Sequence, residues 1–269
     1  MTRPSPQSVR RLIGLALLVL WEAIPRLGIL PELFLPPLSK TLAVLWLDRG
    51  IYFAALLVTL YEVVIAMLIA YGVGILTGAI VGGVASLRNL MLPVFSSLYA
   101  IPIVILYPIF TAWFGIGSES KIVFAGVYGF FPVMLSTAAG IRTIDEQYLL
   151  AARSMGANLP QLITRVIIPA SIPTVLAGLR LGGALTIIGV VVSEMLTSAS
   201  GIGYLVTMNR TILDSPRVFA AIIVVLTLSV AFDMLVRAIE RRTLVWQTAG
   251  RRVVSQDAND SRLATPATA

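Results

Sequence analysis

Residues 57–83 contain a single charged side chain, Glu62, and residues 171–195 contain only two, Arg180 and Glu194. An apolar run of about 20 residues is long enough to cross the hydrocarbon core of a bilayer as a helix. A chain that holds several such runs has few water-soluble folds open to it. Six are found, at 12–30, 57–83, 92–114, 122–141, 171–195 and 217–239. Hydrophobic residues make up 58% of the 269 and charged residues 12%, against roughly 25% charged in soluble domains. So much apolar surface exceeds what one core can hide, and lipid must cover the rest. The expected fold class is an all-α integral membrane protein of about six transmembrane helices.

The chain has no cysteine and no histidine. Disulfides, thiolate nucleophiles, imidazole bases and the common zinc or copper ligands are thereby excluded, and no cofactor or metal site is expected. The net charge of +7 raises the question of nucleic acid, which the placement of the charges answers. Arg3, Arg10 and Arg11 precede the first apolar run and Arg237, Arg241, Arg242, Arg251 and Arg252 follow the last, so basic residues flank membrane segments and form no single patch.

The first run carries Glu22, Pro25 and Arg26 and could pass for a secretory signal, but no small-x-small cleavage site follows it. It reads as a retained anchor. With six spans, one side of the membrane holds thirteen Lys and Arg, including Arg88, Arg142, Arg153 and Arg165, and the other holds six: Arg26, Lys40, Arg49, Lys121, Arg210 and Arg217. The positive-inside rule places both termini in the cytoplasm. Residues 1–11 form a cytoplasmic N-terminal segment, 12–242 the six-span transmembrane domain, and 243–269 a cytoplasmic tail whose Ala, Thr, Ser, Asp and Asn content from Ser255 predicts disorder. In the outer connection 31–52, Pro36 and Pro37 precede an amphipathic run at 41–47, too short to span and suited to the interface.

Gly74, Gly78 and Gly82 recur at steps of four in the second run, and Gly178 and Gly182 in the fifth. Such ridges let a neighbouring helix approach closely, either as ordinary packing or as a mobile contact at a gate. Pro93, Pro102 and Pro108 each remove a backbone donor from the third run, which should be kinked or broken and could line a pathway. Glu22 with Arg26 and Asp233 with Arg237 are four apart and can pair along their own helices. Glu62 lies near the outer end of its span, within reach of water. Glu194 is the conspicuous acid: about 21 Å of helix separates it from Arg180, so it needs another partner or a wet cavity. It either shapes the pathway or gate or caps a local hydrogen-bond network.

The cytoplasmic loop 142–170 has helical character. Asp145 and Glu146 suit a helix N-terminus, Leu149, Ala152 and Gly156 follow at helical spacing, and Asn158 with Pro160 starts a second short helix that Pro169 and Pro173 are expected to close. Ala151, Ala152, three residues, Gly156, nine residues, Val166, any residue, Ile168 and Pro169 resemble the cytoplasmic loop of inner-membrane permeases of binding-protein-dependent ATP-binding-cassette importers. The family's Glu position holds Leu150 here, and Glu146 stands one helical turn earlier. Trp113-Phe114-Gly115-Ile116-Gly117 followed by Lys121, and Ser193-Glu194-Met195-Leu196 followed by Gly201-Ile202-Gly203-Tyr204, are similar to the sulfonate, taurine and nitrate branch. The resemblance runs from Trp21 to about Arg242. It implies a loop that docks on an ATPase subunit with Gly156 at its turn, a dimer of permeases, two ATPases and an extracytoplasmic solute-binding protein.

The chain contains no Gly-x-x-x-x-Gly-Lys-Ser/Thr phosphate loop, and its two lysines, Lys40 and Lys121, fall on the outer side. Energy for uphill transport must therefore enter through a cytoplasmic contact. Nucleotide-driven closure of the ATPases is expected to move these loops as levers between inward- and outward-facing states. An ion-coupled secondary transporter is the alternative, and would need buried carboxylates at a midplane cavity and internal symmetry. An intramembrane enzyme lacks side chains to act with. The branch resemblance implies a small anion such as a sulfonate, taurine or nitrate, or a vitamin precursor, as the solute.

Overall fold

The computed structural model describes residues 5–243. Those residues are helical, with no strand among them. In chain order the helices are α1 (Pro6–Arg26), α2 (Leu38–Leu47), α3 (Arg49–Gly83), α4 (Ala85–Tyr99), a 3₁₀ turn (Ile103–Leu106), α5 (Tyr107–Phe114), α6 (Ser118–Arg142), α7 (Glu146–Ser154), α8 (Leu159–Leu162), a π-helical turn (Ile163–Ile167), α9 (Ile168–Thr197), α10 (Ile202–Thr211) and α11 (Ser215–Thr243). The tail expected to be disordered lies, from residue 244 on, outside the described residues.

Four helices are long and apolar enough to cross a membrane: α3, α6, the continuous Leu159–Thr197 and α11. A fifth is reached if the pair α4 and 103–114, bent by 80°, is counted as one broken span. The break falls where Pro102 precedes the 3₁₀ turn and Pro108 enters the first turn of α5; the missing donors end one helix and start the next. By length and composition alone, four or five of the expected six spans qualify. Over its 21 residues α1 holds Arg10, Arg11, Glu22 and Arg26, and it is not among the helices that qualify by length and composition. It meets the bundle through its last turns, where Trp21 Nε1 donates to Pro36 O (3.0 Å) and the Trp21 ring lies 6.0 Å from that of Phe219.

Helix α6 is the centre of the bundle, packed between α3 and α9. Small residues make this possible. A β-carbon at Gly78 would stand 2.5 Å from Met134 O and one at Gly82 2.8 Å from Ala138 Cα, while on the other side one at Gly182 would stand 2.5 Å from Val133 Cγ2 and one at Gly178 2.4 Å from Ser136 Cβ. Gly74 meets Val133 at 2.9 Å in the same way. The ridges on α3 and α9 therefore face the same helix from opposite sides, at separations that a methyl group would prevent. An aromatic cluster of Phe95, Tyr99, Tyr107, Phe110, Phe124 and Phe131 seats the broken span against α6.

One local expectation is corrected. Pro169 and Pro173 do not close the cytoplasmic loop, because the second short helix runs on into α9 as one 39-residue helix. The π turn widens the spiral just before Pro169, where a proline ring would clash with, and leave unbonded, the carbonyl four residues back. The run at 41–47 belongs to a helix that packs on α11 with Thr41 fully buried.

Candidate functional site

Two assemblies of polar and exposed residues stand at opposite ends of the bundle. The first is the α7–α8 hairpin. Asp145 caps α7 by accepting from Gln147 N–H (2.9 Å), with Glu146 in the first turn and Arg153 in the last, the charge order that a helix dipole favours. Gly156 ends it with φ +78°: its N–H reaches Arg153 O (2.9 Å) and Ala157 N–H reaches Ala152 O (3.0 Å), closing the orphan carbonyls in a left-handed turn that glycine adopts most readily. Asn158 and Gln161 then form a reciprocal capping box, each side chain accepting the other's N–H at 3.0 Å. Ala152 and Leu162 are the buried contacts of the hairpin. Leu150, at the position of the family's Glu, is exposed, as are Tyr148, Met155 and Leu159. Val166 lies in the π turn, and Ile168 and Pro169 open α9.

The second assembly joins α3, α6, α9 and α10. Glu194 Oε1 accepts from Thr59 Oγ1 (2.7 Å) and Oε2 from Gly203 N–H (2.7 Å), while Thr59 Oγ1 accepts from Ile202 N–H (2.9 Å). The two amides come from the N-terminus of α10, whose unsatisfied donors suit a carboxylate. This clasp requires glycine at its turn: Gly201 has φ +98°, and a β-carbon there would stand 2.1 Å from Glu194 Oε1. Beside it Lys121 Nζ pairs with Glu62 Oε1 (2.5 Å) and donates to Ser198 Oγ (3.0 Å), and Ser118 Oγ donates to the same Glu62 oxygen (2.8 Å). Glu62 is 0% and Lys121 3% exposed, so the expectation that Glu62 reaches water is corrected: α6 covers it and supplies its counter-ion. Its other oxygen, Oε2, is buried without a partner.

Glu194 thus sits in a local network 1% exposed, next to a cavity of about 370 Å³ that Ser198, Tyr204, Thr207 and Thr211 help to line. Pro102 and Pro108 belong to the broken span and make no contact with it, although Tyr107, between them, bonds its hydroxyl to Thr197 Oγ1 (2.8 Å). Arg180 finds Asp233 (2.5 Å) and Glu240 (3.8 Å) on α11, and Asp233 also takes Arg237 (2.7 Å). Glu22 pairs with Arg26 along α1 (2.6 Å). Thr59, Ser118, Ser198 and the buried role of Lys121 escaped sequence reasoning. The one available signal was the charge count, since an acid in each of two apolar runs called for a donor or cation from elsewhere.

Among the described residues no three acidic side chains converge into a metal-binding set. A bundle of long apolar helices with glycine-tight packing, a broken span and a projecting helical hairpin is that of a polytopic membrane protein. The chain belongs to the family described as binding-protein-dependent transport system inner membrane component, which matches residues 70–245. It is 31% identical over 240 residues to a putative aliphatic sulfonates transport permease protein, SsuC, of Bacillus subtilis, covering 88% of this chain and 87% of that one. To the formylaminopyrimidine transport permease protein ThiX of Halalkalibacterium halodurans it is 30% identical over 236 residues, covering 88% and 94%. A chain of the MetNI methionine ABC transporter, solved in inward-facing conformations, shares the fold with a TM-score of 0.59 at 18% identity, covering 71% of this chain and 97% of that one. The protein is a permease subunit of an ATP-binding-cassette importer in the inner membrane, working with ATPase subunits and a solute-binding protein.

Proposed function

We propose that the α7–α8 hairpin is where the ATPase drives this permease, and that the hairpin and both termini face the cytoplasm. The observation that carries this reading is the exposed apolar face of the hairpin: Tyr148, Leu150, Met155 and Leu159 are 64%, 68%, 81% and 68% exposed. Apolar side chains clustered on a projecting element mark a protein contact surface. Leu150 in place of an acid suits an apolar contact, with Glu146 one turn earlier, Ala151 and Ala152 keeping the helix narrow, and Gly156 turning it.

The mechanical link follows from the continuity of the chain beyond the hairpin. Leu159–Thr197 is one helix of 39 residues, about 58 Å at 1.5 Å per residue. Displacement of α7 is carried through Val166, Ile168 and Pro169 into α9, whose far end holds Glu194 and the α10 clasp. Glu194 is the gate residue of this proposal, and the break at Pro102 and Pro108 the flexible wall beside it; the glycine ridges at 74, 78, 82, 178 and 182 keep α3, α6 and α9 moving together. Two copies of the chain enclose one pathway, with two ATPases beneath and a solute-binding protein outside. The solute is a small organic anion of the sulfonate class, a reading supported by the SsuC likeness.

The test is the double substitution Leu150→Asp with Met155→Asp. Co-purification of the ATPase and uptake of a labelled alkanesulfonate in vesicles supplied with the binding protein should both be lost, while membrane insertion is kept. Undiminished ATPase recovery would refute the hairpin contact. Intact coupling with no alkanesulfonate uptake would refute the solute class alone.

A further inference from the structure

A cavity of about 640 Å³ lies where the hairpin meets the bundle, lined by the last turns of α3, the end of α6, α8, the π turn and the start of α9. That volume falls within the roughly 300–1,000 Å³ of small-molecule sites. Its walls are aliphatic: Ile75, Ile80, Ile141, Ile163, Ile167 and Val175 are representative. The two polar side chains in the lining, Thr137 and Ser171, give their hydroxyls to carbonyls of their own helices, Val133 O (2.7 Å) and Ile168 O (3.0 Å). Nothing in the wall awaits a polar ligand, and the space suits hydrocarbon.

The mouth has a different character. Arg88 reaches back from α4 to donate to Gly82 O (3.2 Å), beside the lining residues Gly83 and Val84, and Arg142 directly follows the lining residue Ile141. Neither arginine forms an ion pair among the described residues. The nearest acid along the chain from Arg142, Asp145, is engaged in capping α7. An apolar cavity with two arginines adjoining its lining residues, at the cytoplasmic end of a membrane bundle, matches an anionic headgroup carrying a hydrocarbon tail.

We propose that this cavity binds one acyl chain of an anionic phospholipid, whose phosphate is held by Arg88 and Arg142. The site rests on the cytoplasmic placement of the hairpin proposed above. The bound chain fills the angle between α3 and the lever that begins at Leu159, so its occupancy stiffens that junction.

Native mass spectrometry tests this on the full chain assembled with its ATPase subunits and taken from nanodiscs of phosphatidylcholine containing phosphatidylglycerol. The assembled complex should retain phosphatidylglycerol in preference to phosphatidylcholine. Arg88→Gln and Arg142→Gln should each reduce that preference about fivefold. Gly83→Leu points a side chain into open space, since a β-carbon there has nothing within 4 Å; it should expel both lipids while the ATPase stays bound. Ala79→Phe is a second filling variant if the first fails to assemble. Retention of no lipid, or of lipid indifferent to all these substitutions, would overturn the site. Loss of the ATPase rather than the lipid in the filling variants would overturn it too, by making the cavity a protein contact. Failure of wild-type ATPase co-purification would count against the hairpin reading instead, since the lipid is read on a separate mass.

Discussion

Gly156 offers a way to separate backbone strain from partner contact. A β-carbon at this position has nothing within 4 Å in the chain, yet φ is +78°, so substitution within the isolated permease is penalised only by conformation. For an ordinary side chain in the left-handed region that penalty is about 1–2 kcal/mol, and it is smaller for Asn, which visits the region readily. An opening equilibrium changed by 1–2 kcal/mol changes by about 5- to 30-fold. Amide hydrogen exchange at residues 156 and 157, whose N–H groups bond to Arg153 O and Ala152 O, should therefore accelerate by that factor in Gly156→Ala, more in Gly156→Val, and less in Gly156→Asn. Binding-protein-stimulated ATP hydrolysis by the assembled complex supplies the second axis. If the ATPase packs against the turn, hydrolysis should fall with side-chain size, and Asn should lose more coupling than its exchange rate accounts for. Exchange in Gly156→Ala equal to wild type, or as fast in Asn as in Val, would refute the strain argument.

Other outcomes follow from the buried contacts. Lys121→Met strands the Glu62 carboxylate in a fully buried site and should cost about 3–5 kcal/mol, most of it recovered when Glu62→Gln is added; a detergent-titration unfolding curve for the double variant no better than the single would contradict the pairing. Gly78→Val pushes side-chain atoms into Met134 O and should destabilise by about 1–3 kcal/mol through separation of α3 from α6, whereas Gly72→Val, with open space around its β-carbon, should leave the unfolding midpoint within experimental error.

Much of this arrangement was legible from local pattern, and the exceptions have a common cause. The hairpin was readable because its signals are short-range: Asp145, Asn158 and Gly156 act within four residues of themselves. The glycine ridges were visible as spacing, but spacing could not say that both sets face α6. The continuity of Leu159–Thr197 was missed because a π turn absorbs the disturbance that two prolines would otherwise make, and no residue pattern announces such a turn. The first apolar run was read as a span on hydropathy, while Arg10 and Arg11, which precede it in α1, together with Glu22 keep that helix outside the set that length and composition qualify.

What the amino-acid sequence determined alone was the solvent of the chain, its helical class and the caps and breaks of individual helices, since apolar length, proline and capping chemistry act along a few turns of backbone. The tertiary structure decided the partners of the buried charges. Thr59 is 135 residues from Glu194, and Glu62 is far from Lys121 along the chain. Each had to be neutralised or hydrogen-bonded inside the bundle, but which group would do so depended on which helices became neighbours. That choice came from close packing around α6, a property of the assembled helices rather than of any one segment.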